Sequence, residues 1–180
     1  MLWWLIGLLI IALIFVFYFN KFVVLGNRID NSLSQIDVQL RKRAELVPNL
    51  INIVKGYVKH EKNIMADVTK AREAILKAKT LSDRVKAGNK LESTLKSIFA
   101  LAENYPQLKA NENFLRLQEE LASIEDKIAY ARQFYNDSVL DYNNSIKTFP
   151  GILFAKIYNA KEKEFLKLPE IMRAVPKVEF

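Results

Sequence analysis

Few side chains in this sequence are equipped for chemistry. His60 is the only histidine among the 180 residues, and there is no cysteine. A Ser-His-Asp arrangement would have to be built on that one imidazole. A zinc site would lack the second histidine or the thiolates that complete it. His60 is followed by Glu61, which falls on an apolar helical stripe while His60 falls beside it. That placement fits a buried carboxylate paired across a bundle, with Lys127 or Arg132 as partner, better than a metal pair. There is no Gly-rich phosphate loop and no nucleophile motif. The expectation is therefore a protein that is not an enzyme and has no catalytic, cofactor-binding or metal-binding residues.

Two other groups have the spacing of an interaction site. Arg41-Lys42-Arg43 is the densest basic cluster. It reads either as a patch for anionic lipid or as a solvated helix face. No base-stacking aromatics interleave with it, which argues against nucleic acid. Tyr135-Asn136 and Tyr142-Asn143 are the same dipeptide seven residues apart. On a helix the tyrosines share one line and the asparagines the next. Two amides in line can grip a partner, or they can form a polar layer that fixes helix register.

The elements that must position these residues begin with an apolar run from Leu2 to Phe19, in which no side chain is charged. At about 1.5 Å rise per residue, such a run crosses most of a bilayer core. Phe22 to Leu25 extend it, with Lys21 snorkelling. Trp3 and Trp4 flank one end and Tyr18 the other, where interfacial aromatics belong. No basic segment precedes the run and no small-residue cleavage site follows it, so it reads as a retained anchor.

Behind the anchor, Leu25, Ile29, Leu33, Ile36 and Leu40 recur at helical spacing. Pro48 interrupts, and the stripe resumes through Val47, Ile51, Val54, Val58, Met65, Val68 and Ile75, broken by Glu61 and Arg72. This pattern predicts a helix kinked at Pro48 and continuing to about Lys79. Thr80 and Asp83 have the form of a capping box for the next helix. Gly88 lies in that helix's apolar seam, where it either permits close approach or only weakens the turn. Asn111 caps the last long helix. There Phe114, Leu121, Ile128, Tyr135, Tyr142 and Phe149 recur every seven residues. Leu117, Ile124, Ala131, Ser138 and Ser145 form a second line. The expected fold is all-α, a transmembrane helix followed by an antiparallel bundle of three to four long helices. The division is an anchor over 1–25, a bundle over 26–150 and an irregular tail over 151–180.

Several of these stretches, taken in order, resemble the LemA family. They are Ser34-Gln35-Ile36-Asp37-Val38-Gln39-Leu40-Arg41-Lys42-Arg43, Leu46-Val47-Pro48-Asn49-Leu50, Val54-Lys55-Gly56-Tyr57, Tyr105-Pro106-Gln107-Leu108-Lys109-Ala110-Asn111, Leu117-Gln118-Glu119-Glu120-Leu121 and Ala131-Arg132-Gln133-Phe134-Tyr135-Asn136. The family often has Trp where this chain has Leu33. The resemblance implies a bacterial, single-pass, membrane-anchored helical protein without catalytic residues, and some members are associated with bacterial organelle membranes.

The expected function is a non-enzymatic scaffold of the cell envelope. Its partners would be the bilayer, through residues 2–25, and other membrane or envelope proteins, but not nucleic acid. The alternative is an electrostatic binder of anionic membrane, because the charge is uneven. Lys21 to Lys109 hold 17 basic and 9 acidic side chains, whereas Ala110 to Phe149 hold 4 and 7. Lys21 and Arg28 follow the apolar run, so the charge rule puts the bundle on the cytoplasmic side of the inner membrane.

Overall fold

A computed structural model describes residues 2–58 and 61–166. His60 and the tail beyond Leu166 lie outside the described residues. Six helices follow in order: α1 Leu2–Tyr57, α2 Lys62–Lys77, α3 Leu81–Ala102, α4 Pro106–Lys109, α5 Glu112–Lys147 and α6 Gly151–Ile157. No strand occurs among the described residues.

Helix α1 continues through Pro48 without a break. A break falls after Tyr57, where a continuous helix to about Lys79 was expected, and α2 begins at Lys62. Past Pro48, α1 is supported by a substitute hydrogen bond. Ala44 lies four residues before Pro48, and its carbonyl would ordinarily receive the amide proton that proline lacks. Arg72 of α2 donates its Nε–H to that carbonyl at 3.0 Å. The polar residue that interrupts the α2 stripe is thus the partner of the orphaned acceptor. Glu61 stands at the N-cap of α2 without a side-chain capping bond. It makes no ion pair with Lys127 or any other described residue, contrary to the expected cross-bundle pairing.

The chain divides into two compact units, each containing part of α1 and part of α5. The bundle unit holds residues 34–58 and 61–131. Its core is Leu40, Val47, Leu50 and Val54 of α1, Val68 and Ile75 of α2, Leu91 and Ile98 of α3, and Phe114 and Leu121 of α5, all buried. Arg72 reaching Ala44 makes α2 antiparallel to α1. Gly88 lies against Leu40 and accepts a bond from Arg43, so α3 runs alongside α1 in the same direction. Asn111 donates to the Tyr57 hydroxyl while Glu125 meets Arg43, so α5 returns antiparallel.

The helix starts follow the sequence. Thr80 Oγ1 accepts the Asp83 amide at 3.1 Å and donates to the Asp83 carboxylate at 2.7 Å. Asn111 Oδ1 accepts the Phe114 amide at 3.0 Å. Gly88 serves close approach: a Cβ there would lie 2.5 Å from Leu40 Cδ2.

The anchor unit holds residues 2–33 and 132–166. Trp3 to Ile14 have no protein cover, and the helix that carries them is long and apolar enough to cross a membrane. Phe22, Leu25 and Ile29 of α1 and Tyr135, Val139, Tyr142 and Ile146 of α5 are buried residues of this unit's core. Ser32 rather than Leu33 is the buried position, and its hydroxyl donates to the Ile29 carbonyl. Ser138 and Ser145 are also buried and bond back to the Phe134 and Tyr142 carbonyls, which lets small polar residues sit inside. The segment from 151, expected to be irregular, opens with the two turns of α6.

Candidate interaction site

The basic triplet does not form a single surface. Arg43 is 2% exposed, so it belongs to the bundle interior and not to a lipid-facing patch. Its guanidinium pairs with Glu125 of α5 and donates to the Gly88 carbonyl of α3. A buried guanidinium needs such partners, because leaving one unpaired is costly. Three helices therefore converge on it. Arg41 bonds one turn back to Asp37 at 3.0 Å. Lys42 alone of the three is an exposed cation with no ion pair described.

Asp37 also pairs with Arg84 of α3. Arg84 in turn donates to the Ala78 carbonyl at 2.8 Å and the Ile75 carbonyl at 3.4 Å, satisfying the open C-terminal end of α2. Burial pushes the Asp37 carboxyl up, but the hydrogen bonds and charges of Arg84 and Arg41 outweigh it and hold the group below its ordinary value. Charge here fixes helix positions.

The Tyr-Asn pairs come together on one groove of the anchor unit. Tyr135, Tyr142 and Asn143 are buried. The occupant of the groove is the chain's own segment after α6. Asn159 takes a left-handed φ of 51°, and the Ala160 amide bonds to the Ala155 carbonyl, which ends α6 and turns the chain. Residues 161–166 then run back along α5 as an extended strap. Asn143 Oδ1 accepts the Lys163 amide and its Nδ2 donates to the Lys163 carbonyl, both at 2.9 Å. Asn136 treats Leu166 in the same way, at 2.9 Å and 3.3 Å. The Tyr135 hydroxyl donates to the Glu164 carbonyl at 2.8 Å.

The match of periods explains the grip. Seven helical residues rise about 10.5 Å. Three extended residues cover about 10 Å. Two amides seven apart on α5 therefore meet two backbone positions three apart on the strap. Each amide satisfies both the donor and the acceptor of one residue, the role a neighbouring strand would play. The side chains of residues 161–165 are exposed, and one of them, Glu162, pairs with Lys147 of α5 at 2.7 Å, while the buried amides grip backbone alone. Burial raises the Tyr142 hydroxyl above its ordinary value; at Tyr135 burial does the same, helped by the charges of Glu164 and Asp30.

An exposed surface built from both Tyr-Asn pairs is thus ruled out: the amides and one hydroxyl are engaged within the chain. The repeat of the dipeptide was a true signal of two aligned amides, but it carried nothing about their occupant. Among the described residues no cluster of His, Asp and Glu could hold a metal ion.

Residues 32–180 match the LemA family. The chain is 22% identical to magnetosome protein MamQ of Magnetospirillum gryphiswaldense over 173 residues, 82% of this chain and 64% of that protein. It is 25% identical to protein LemA of Metamycoplasma hominis over 149 residues, 79% of this chain and 68% of the relative. Magnetosome protein MamQ 2 of Paramagnetospirillum magneticum is 22% identical over 175 residues, 83% of this chain and 64% of its own length. The chain thus spans a little under two thirds of the MamQ proteins. With a bundle whose helices carry the resembling stretches in order and a family match over most of its length, the chain belongs to the LemA family.

Proposed function

We propose that this protein is a membrane-anchored, non-enzymatic scaffold of the bacterial envelope that holds a helical bundle on the cytoplasmic face of the inner membrane. One observation carries the reading. A single helix, α1, contains both an uncovered apolar run and the core residues of the bundle unit. An element apolar on every side is suited to lipid, and a cleavable leader would not continue into the core of the domain it precedes. The similarity to MamQ, named for the magnetosome, supports a place at a bacterial membrane. Lys21 and Arg28, directly behind the run, support the cytoplasmic side. The partners would be other envelope proteins, and the surface they use would be outside the Tyr-Asn groove.

Salt extraction of membranes holding the full chain separates this reading from electrostatic attachment. An anchored protein stays in the membrane fraction at molar salt and is released only by detergent. Charge-driven binding is screened at such ionic strength, and release there would replace the anchor with a surface binder. Against that alternative stands Arg43, which is buried in the bundle interior. Crosslinking in intact membranes then tests the scaffold itself, which requires the same neighbouring protein to be captured from several positions on the bundle.

A further inference from the structure

Helix α6 has an apolar face turned away from the protein. Its inner face, Phe154, Ala155 and Tyr158 at the C-terminal end, packs on α1. Phe154 stacks on Tyr18 with ring centroids 4.8 Å apart and meets Phe15 edge-on at 5.4 Å. The Tyr158 hydroxyl donates to the Phe15 carbonyl at 3.2 Å. The outer face is Ile152, Leu153 and Ile157, with Phe149 just before the helix. These are 37%, 52%, 61% and 81% exposed. Phe149 closes the α5 heptad in the sequence and was expected in the core, yet it is among the barest apolar side chains in the unit.

The level of this patch is set by what α6 touches. Phe15, Tyr18, Phe19 and Phe22 belong to the apolar run or its extension, not to the polar helix beyond. From Trp3 to Lys21 the helix rises about 27 Å, while a hydrocarbon core is about 30 Å thick. A span of that length has no slack, so Phe15 to Phe19 must lie within the hydrocarbon if the run crosses it. Whatever packs beside them lies there too. Lys156, exposed on the same short helix, is long enough to snorkel to the headgroups.

We infer that α6 and Phe149 form a second lipid-contacting element, a short re-entrant helix set into the leaflet beside the end of the anchor. Its partner is the acyl region of the bilayer. The inference rests on the anchor reading above. It explains why a seven-residue helix is apolar on both faces, and why an aromatic at the end of α5 stands free. The helix is held in place by close contact: a Cβ on Gly151 would collide with the Ser145 carbonyl and lie 3.2 Å from the Tyr18 ring.

The absence of cysteine makes the test direct, since one introduced cysteine carries the only label. The full chain is reconstituted in phosphatidylcholine–phosphatidylglycerol vesicles with an environment-sensitive fluorophore at Phe149→Cys or Leu153→Cys. Ile10→Cys reports the anchor and Glu120→Cys reports water. Labels at 149 and 153 are expected to be blue-shifted, quenched by acyl-chain spin labels as strongly as at 10, and insensitive to aqueous iodide. Iodide quenching like that at 120 overturns the inference, and so does shielding from both quenchers, which would mean a protein partner or a second copy. If 10 meets lipid but 149 and 153 do not, α6 alone is overturned. If 10 also fails, the anchor falls with it.

Discussion

Pro48 and Arg72 are far apart in sequence, and each is a local irregularity: a proline inside a helix and a cation in an apolar stripe. Together they make one hydrogen bond, from Arg72 Nε to the Ala44 carbonyl. Replacing Arg72 with Met keeps the apolar stem but strands that carbonyl. A loss of about 1–2 kcal/mol in stability is expected, read as a lowered thermal midpoint by circular dichroism in detergent. Pro48→Ala restores an amide at the position that Ala44 would use, so the Arg72→Met cost should shrink in that background. A cost that is the same in both backgrounds would separate the two residues. Gly88 has a comparable role at the crossing of α1 and α3. Gly88→Ala puts a methyl 2.5 Å from Leu40 Cδ2, so this fully buried side chain must shift within a packed core. Overpacking of about 1–3 kcal/mol outweighs the propensity gained by removing a glycine from a helix. The same thermal measurement checks it.

At the scale of elements, the connections are held by charge and by amides. Asp37 ties α1 to α3 through Arg84, and its carboxyl is held below an ordinary value of 3.8. Its contribution is present above the unfolded value and is lost as pH falls through the folded one. Asp37→Asn should therefore lower stability near neutral pH but narrow its gap to the parent near about pH 3. Urea midpoints at the two pH values decide this, and a constant gap would remove the ion pair from the account. The strap is held mainly through backbone bonds, with one exposed ion pair from Glu162 to Lys147. Asn136→Ala with Asn143→Ala removes four of its hydrogen bonds. The expected result is faster tryptic cleavage at Lys161 and Lys163 with the helical content unchanged. Much of this architecture was legible beforehand. The heptad lines of α5, the caps at Thr80 and Asn111 and the apolar stripes of α1 to α3 all depend on local periodicity, which the chain displays directly. What was not legible depends on pairing across distance. Nothing near Arg43 shows that Glu125 and Gly88 will enclose it. Nothing near Asn143 shows that Lys163 will lie beside it. The break after Tyr57 was hidden because the apolar stripe runs on across it, and the bond that supports α1 at Pro48 comes from Arg72, which is remote in sequence.

At the scale of the molecule, the proposed function depends on a boundary: where α1 would leave lipid, and on which side. The net charge of +7 is concentrated before Lys109. Of these charges, the ones close behind the span set orientation most strongly, and remote ones contribute little. Those are Lys21 and Arg28. Lys21 is exposed and lies over the Tyr18 ring, its ammonium 5.8 Å from the centroid, a position from which it can mark the edge of the hydrocarbon. Arg28 forms an exposed ion pair with Asp141 at 3.7 Å, too solvated to contribute much stability. Both are therefore dispensable to the fold and available to test topology. A reporter fused after Phe180 that is active only in the cytoplasm should be active in the parent chain. Lys21→Gln with Arg28→Gln removes the nearby charges while leaving the helix intact, since Gln is a good helix former. Activity should then fall as a fraction of molecules inserts the other way, and a periplasmic reporter at the same place should rise in proportion. A parent chain active only with the periplasmic reporter would put the bundle outside the cytoplasm. The partners sought by crosslinking would then be periplasmic.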